Sequence, residues 1–318
     1  MPRARIRELS LICERSVSIS DDTDREYHLL TPRSYVYSFF EMEMHQMISE
    51  CKSDRFAFGQ NWQRFAERVT SEHVDRAAAA LLKALGRPRL DGMTFLDVGG
   101  GSGLHSLAAR QLGATVHAFD YDPDSVTCMK AMRARFAPAD ESWSIEKGSA
   151  LDSDYLASLG VFDIVYSWGV LHHTGDLWRA LDLVGLRVRP GGFLFLALYN
   201  DQGLESRIWY RVKRSYVKSS PLGKAALIRA AQAYFGTRGS IGRLLRGERK
   251  SSTTIRNRGM RADTDLVDWV GGFPFEVSKP EQIFEFYRDR GFTLEFLKTC
   301  GGGLGCNEYV FRAPEARQ

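Results

Sequence analysis

Apolar and polar positions along this chain follow one rhythm before about residue 93 and another after it. Tyr35 to Met47 is aromatic and Met-rich, and is predicted either to lie as a helix on the body or to form a loosely attached extension. Phe56 to Leu85 reads as helical: Trp62, Phe65 and Val69 recur three to four residues apart and lead into an alanine-rich run. Gly86-Arg87-Pro88 ends it.

From Met93 onward, short apolar runs of strand length take turns with helical patterns. Met93 to Val98 predicts a first strand, followed by a glycine turn and a helix over Leu104 to Leu112. Thr115 to Phe119 predicts a second strand. Asp122-Pro123 then supplies an N-cap and a first-turn proline for a helix to Phe136. Trp143 to Glu146 and Phe162 to Ser167 predict the third and fourth strands, the latter continuously apolar as befits a strand covered on both faces. Asp176 opens a helix to about Val188, and Pro190-Gly191-Gly192 turns into a fifth strand over Phe193 to Tyr199. The alternation resumes at Ser278-Lys279-Pro280-Glu281, with capping-box spacing, and a helix to Arg290. Phe292 to Leu297 and Glu308 to Arg312 predict two last strands. Only a short glycine-rich loop joins them, so they must be antiparallel, because a parallel pair needs a long crossover. The whole pattern predicts an α/β fold with a doubly wound, mostly parallel sheet.

The interruption between the fifth strand and the last helix carries most of the charge asymmetry. The 318 residues sum to only +4, yet residues 203 to 262 hold 15 Lys or Arg against Glu205 and Glu248. Leu204, Ile208, Val212 and Tyr216 recur every fourth residue among those cations, predicting an amphipathic basic helix whose apolar stripe packs on the body. The chain accordingly divides into an N-terminal extension with lid helices (1–92), a core (93–200), a basic helical cap insertion (201–277) and the C-terminal part of the core (278–318).

Other features narrow the possibilities. No apolar run reaches the ~20 residues of a membrane span. The N-terminus is basic but has no apolar stretch or cleavage site, so no signal peptide is read. Cys13, Cys51, Cys128, Cys300 and Cys306 are odd in number and widely spaced, which argues against a disulfide framework or zinc site and for a reducing, cytoplasmic setting.

The chemistry gathers at Leu96-Asp97-Val98-Gly99-Gly100-Gly101-Ser102-Gly103, where the first strand passes into the first helix of the alternating region. Glycines there let backbone approach a ligand, and the helix start favours an anion. The spacing is not that of a dinucleotide-binding turn, which wants a glycine where Leu104 stands. Asp120 ends the second strand, where a carboxylate can accept from ribose hydroxyls.

These residues resemble the first motif of class I S-adenosylmethionine-dependent methyltransferases, and Ala118 to Asp122 resembles their acidic second motif. Phe162 to His173 is similar to the fourth-strand motif of the ubiquinone/menaquinone-type methylase group, and Arg189 to Phe193 matches its turn before the fifth strand. The resemblance implies a seven-stranded sheet with the last strand antiparallel, with S-adenosyl-L-methionine as cofactor. It implies that Asp97, Gly99, Gly101 and Gly103 line the methionine and ribose moieties, that Asp120 and Tyr121 hold the ribose, and that Ser149 and Ala150 flank adenine. Ser149 departs from the Asp common at its position, and Asp152 stands nearby. Ser167 and Trp168 would lie near the sulfonium.

His172 and His173 fall just past the fourth strand, as catalytic bases or as packing that holds the loop. Trp62, Phe65, Trp209 and Tyr210 are expected to wall the acceptor site. No cluster with metal-ligand spacing is visible. The expectation is therefore methyl transfer to an oxygen or carbon of a small or lipid-like metabolite, with residues 203–262 meeting an anionic carrier or membrane surface. The alternatives are an RNA or protein methyltransferase and a non-catalytic binding protein. An Asn/Asp-Pro-Pro-Tyr type motif is absent after the fourth strand, where Ser167-Trp168-Gly169-Val170 stands, which speaks against nucleic acid.

Overall fold

The computed structural model describes residues 55–138, 140–246 and 262–316, with side chains omitted for 238–265 and 268. The Tyr35 to Met47 segment, Cys13 and Cys51 lie outside the described residues. Core and cap fall within one unit, Met47–Gln318.

Helices α1 (Phe58–Ala66) and α2 (Ser71–Leu85) replace the single helix expected over Phe56 to Leu85. The break is built by side chains. At Thr70 the N–H donates to His73 Nδ1 at 3.1 Å, which starts α2 afresh. Arg135 then donates to the carbonyls of Ala66 and Val69 at 3.0 and 3.1 Å, and the Ala66 carbonyl also accepts from Val69 N–H at 3.2 Å, so the end of α1 is tied off before α2 begins. Gly86, in the left-handed region at φ 62°, closes α2.

The alternating region gives β1 (Thr94–Val98), α3 (Leu104–Gln111), β2 (Thr115–Asp120), α4 (Pro123–Phe136), β3 (Trp143–Lys147), the short helix α5 (Ser153–Ser158), β4 (Phe162–Trp168), α6 (Leu177–Gly185) and β5 (Val188–Tyr199). Beyond them come the cap helices α7 (Leu204–Lys218), α8 (Pro221–Arg246) and α9 (Ala262–Gly271), then α10 (Pro280–Arg288), β6 (Thr293–Lys298) and β7 (Cys306–Arg312). Asp122 and Asp176 cap α4 and α6 as expected, accepting from Asp124 and Arg179 N–H. The last helix starts one residue later than its motif suggested, with Lys279 at the N-cap held by Gln282 Oε1 at 2.9 Å.

The seven strands run β3-β2-β1-β4-β5-β7-β6. Pairings among the first five are parallel, and β7 is antiparallel to both β5 and β6. Alternate residues serve opposite faces. Phe95, Ala118, Tyr166, Phe195 and Val310 pack under α1 to α4, whereas Leu96, Phe119, Val165, Leu196 and Tyr309 pack on α5, α6 and α10.

The cap differs from expectation in one respect that matters later. In α7, Leu204 and Ile208 are 70% and 49% exposed, and the buried residues are Ser206, Trp209, Lys213 and Tyr216. A four-residue spacing overshoots a 3.6-residue turn by roughly 40° at each step, so the Leu204-Ile208-Val212-Tyr216 series spirals around the helix. The mixed spacing of Ser206, Trp209, Lys213 and Tyr216 keeps to one side. These residues meet Tyr199, Val270, Phe273 and Phe275 in a third, smaller core.

Candidate functional site

A cavity of about 1020 Å³ opens at the carboxyl ends of the parallel strands, where ligands bind in doubly wound sheets. One end is the glycine turn after β1. Gly99, Gly101 and Gly103 have φ of 78°, 55° and 79°. A Cβ on Gly99 would stand 2.3 Å from Val170, and one on Gly101 would stand 2.9 Å from the Trp62 indole nitrogen. Both positions therefore need glycine, for conformation and for space. The N–H groups of Gly99 and Gly100 donate to the Phe119 carbonyl at 2.9 and 3.1 Å, which pins the turn to β2.

Two buried carboxylates face this turn. Asp120 accepts from Gly101 N–H at 3.0 Å through one oxygen and from Asp122 N–H at 2.9 Å through the other. Burial raises it to about 6, against the lowering effect of those two N–H groups. Asp97 accepts from the Ser106 hydroxyl at 2.5 Å. Burial raises it to about 7, with the Ser106 bond opposing and the Asp120 charge adding. Each Asp120 oxygen keeps a further lone pair, the arrangement that a vicinal diol can use. Asp122 ties the lid to this end, because its other oxygen accepts from Gly59 N–H at 2.8 Å.

Tyr121, Ser149 and Ala150 also line the cavity. Tyr121 is 55% exposed and carries the Arg55 guanidinium over its ring at 4.9 Å. Ser149 Oγ accepts from Leu151 N–H at 3.2 Å. Asp152 is committed elsewhere, capping α5 through Tyr155 N–H at 3.0 Å.

The other end of the cavity rests on a row across the sheet. Trp168 pairs with Ala197, Ala197 with Glu308, and Glu308 with Lys298. Trp168, Glu308 and Lys298 of this row line the cavity, while Ala197, between Trp168 and Glu308 in register, is fully buried in the sheet beneath them. Glu308 is 8% exposed and accepts from Lys298 Nζ at 3.1 Å. Phe56, Phe58, Val170, Tyr199, Phe235, Trp269 and Phe273 complete largely apolar walls. Behind Tyr199, the wholly buried Lys213 ammonium sits among aromatic rings, 4.5 Å from that of Trp269 and 4.7 Å from that of Phe275, and donates to the Trp269 carbonyl.

The histidine pair divides. His173 lines the cavity between the rings of Phe58 and Tyr199. Its Nδ1 donates to the Pro274 carbonyl at 2.6 Å, leaving Nε2 unprotonated in the neutral ring. Burial first, then the Lys213 charge, lower it to about 3. His172 is fully buried and does not line the cavity; its Nδ1 accepts from Tyr199 N–H at 3.2 Å. Burial holds it neutral as well, aided by His173 and Lys213.

Five further expected residues are placed away from the cavity. Ser167 donates to the Val98 carbonyl at 3.2 Å, fastening β4 to β1. Gly103 packs against Met129 and Trp143 at the start of α3. Phe65 is buried in the core beneath α1 and α2, Trp209 stacks on Phe235 inside the cap, and Tyr210 packs on Phe273. Asp97, Gly99, Gly101, Asp120, Tyr121, Ser149, Ala150, Trp168, His173 and Trp62 all line it. Sequence reasoning missed Tyr199, Trp269 and Glu308. Tyr199 ends β5 and Glu308 starts the antiparallel β7, so both stand at the carboxyl edge where ligands gather, and that rule would have found them.

Among the described residues no group of three or more His, Cys, Asp or Glu is placed to hold a metal ion, and no helix is long and apolar enough to cross a membrane.

Comparison with known proteins agrees with this geometry. A family model described as a methyltransferase domain matches residues 70–234. The ubiquinone biosynthesis O-methyltransferase of Brucella ovis is 32% identical over 119 residues, 35% of this chain and 43% of that protein. Its counterpart in Rhizobium etli is 31% identical over 129 residues, 40% of this chain and 49% of that one. The chain thus spans less than half the length of these curated relatives. A solved O-methyltransferase family protein from Burkholderia thailandensis shares the fold, with TM-score 0.50 and 14% identity over 99% of this chain and 85% of that one. The matched domain covers the glycine turn, Asp120, the Ser149–Ala150 loop and the histidine pair, and the chain belongs to the class I S-adenosylmethionine-dependent methyltransferase family.

Proposed function

We propose that this protein transfers a methyl group from S-adenosylmethionine to an oxygen or carbon of a small or lipid-like metabolite in the cytoplasm. The observation that carries the reading is that one cavity joins the Asp120 end to an apolar end lined by Trp168, Tyr199 and Trp269. The residues present fit the cofactor. Gly99 and Gly101 leave the space that a Cβ would fill, Asp120 offers lone pairs to a ribose diol, and Ser149 with Ala150 borders the remaining flat space.

When bound, S-adenosylmethionine supplies an activated methyl on a sulfonium. The chain's own residues then have two tasks. Trp168, Tyr199 and the Phe56–Phe58 segment exclude water and hold the acceptor, since placing the nucleophile in line is the main contribution to such a transfer. The second task is to receive the acceptor's proton. His173 Nε2 has the lone pair for it, but a site lowered to about 3 is a weak base. An acceptor that ionises readily, such as a phenol, suits it best. The name of the Brucella relative, an O-methyltransferase of ubiquinone biosynthesis, favours oxygen over carbon for the same reason. Aromatic walls suit a ring or an isoprenoid-like chain better than a polar polymer, which disfavours an RNA or protein acceptor. The basic cap, residues 203–262, is the candidate contact for an anionic carrier or surface.

The test is calorimetric and enzymatic. S-adenosylhomocysteine should bind in the micromolar range, and incubation with labelled S-adenosylmethionine and phenolic or prenylated acceptors should move label to one of them. Binding without label transfer to any oxygen or carbon acceptor would favour the non-catalytic alternative.

A further inference from the structure

The outward face of α7 is exposed, and its composition is one-sided. Leu204 and Ile208 are 70% and 49% exposed, and Arg207, Arg211, Arg214 and Lys218 are exposed with them. On a helix of ~100° per residue these six fall within less than half the circumference, opposite the buried Ser206, Trp209, Lys213 and Tyr216. No acid shares the face. Glu205 is turned aside and accepts from the Tyr234 hydroxyl of α8 at 2.5 Å. Leu222, 84% exposed, follows just beyond the C-terminal end of α7.

Cations alone would suit any polyanion, and aliphatics alone any apolar surface. Both together on one helical face suit an anionic bilayer, whose phosphates take the guanidinium groups while leucine and isoleucine enter the acyl boundary. Single exposed aliphatics are common on protein surfaces, but Leu204 and Ile208 set side by side among the arginines of one face suit an environment that is apolar at that depth. We infer that α7 is an interfacial helix that seats the protein on the surface of an anionic lipid bilayer through Leu204, Ile208, Arg207, Arg211 and Arg214.

The inner side of the same cap reaches the cavity. Lys213 of α7 holds the Trp269 carbonyl of α9, and Trp269 and Phe235 line the apolar end. A bilayer under α7 would therefore lie one helix layer from the apolar end of the cavity. This link rests on the lipid-like acceptor proposed above; the docking itself does not.

The experiment is co-sedimentation of the full chain with phosphatidylcholine vesicles and with mixed phosphatidylcholine–phosphatidylglycerol vesicles, at low and at high salt. Wild type should bind the anionic vesicles, leave the neutral ones largely unbound, and lose binding as salt rises and the Debye length shrinks. Arg207→Glu/Arg211→Glu should weaken anionic binding by about tenfold or more, since each cation near such a surface contributes roughly fivefold. Leu204→Ser/Ile208→Ser should weaken it by a smaller factor that persists at high salt. S-adenosylhomocysteine affinity should stay unchanged in both variants, which shows that they are folded. Failure of wild type to bind anionic vesicles overturns the inference, including where an acidic protein binds instead. So does a charge-reversed variant that binds like wild type. Neither result touches the methyl-transfer reading, which is tested separately by S-adenosylhomocysteine binding and by label transfer.

Discussion

At the Asp120 end of the cavity, a glycine turn and two buried carboxylates line the space; at the Tyr199 end, aromatic rings do. The first end is made within one short run of chain, with Gly99 to Asp120 bound together by Gly99, Gly100 and Gly101 N–H groups. The second is assembled from α1, the ends of β4 and β5, β7 and the cap, elements more than 200 residues apart in sequence. A local polar site tolerates almost no change in backbone, whereas a wall of rings can be re-faced by substitution while the sheet beneath stays put. That difference predicts that mutations at the two ends will separate cofactor binding from acceptor turnover.

The largest effect is expected where the polar end meets the apolar one. In Gly99→Val the new side chain must adopt φ 78° and meet Val170 at 2.3 Å. Strain and overpacking together should cost about 2–4 kcal/mol of stability, read as a fall in the urea midpoint, with loss of S-adenosylhomocysteine binding. Retention of both would show that the turn has more room than its geometry implies.

Crowding the apolar end comes next and should act on one end only. Ala197→Leu puts a branched side chain into the buried sheet row between Trp168 and Glu308, both of which line the cavity, and should displace them. Turnover of any acceptor used by wild type should drop by about a hundredfold or more, as the misplacement of a reactant by ~1 Å can cost that much. S-adenosylhomocysteine affinity should hold within about threefold. A matching loss of both would mean that this part of the cavity belongs to the cofactor.

Lys213→Met tests how the cap is held. The Trp269 carbonyl loses the buried ammonium that donates to it, and an unsatisfied buried acceptor costs about 1–3 kcal/mol. Amide exchange should quicken in α9 and leave β1 and β4 nearly unchanged. Uniform acceleration throughout would show that the cap and core unfold together.

The smallest effects are those of pH. Asp120 sits above the usual carboxylate range, at about 6, because it is buried. A raised value means that the folded protein takes up a proton as pH falls through that point, so S-adenosylhomocysteine binding should weaken severalfold from about pH 8 to about pH 5 as the carboxylate is neutralised. Asp120→Asn should flatten that dependence. The histidines behave oppositely: both are held neutral by burial, and their ring proton resonances should show no titration between about pH 5 and 8, where a free imidazole would.

The contrast between the two ends also explains what the sequence revealed. The sheet, its antiparallel end and the Asp120 side were legible because each rests on local signals: Pro123 after Asp122, glycines at a strand-to-helix turn, a loop too short for a crossover. The acceptor side was not. Trp62 lines the cavity, yet Phe65, three residues on, turns into the core, because the choice depends on where α2 packs. Trp209 and Tyr210 looked like wall residues and proved to be internal cap packing. The side of α7 that faces inward was misjudged because a four-residue repeat drifts around a helix, and only the position of Trp269 and Phe275 decides that Lys213 is buried and Leu204 is not.

The most direct test of the account is a titration of S-adenosylhomocysteine into wild type and Asp120→Ala at about pH 8. Asp120 accepts a backbone N–H through each of its oxygens and, in the proposed reading, also holds the ribose diol; charge-assisted bonds of that kind contribute about 1.5–3 kcal/mol. The account predicts micromolar binding by wild type and a loss of one to two decades in the variant, at ~1.4 kcal/mol per decade. Equal affinity in the two proteins, or no binding by wild type, would contradict it.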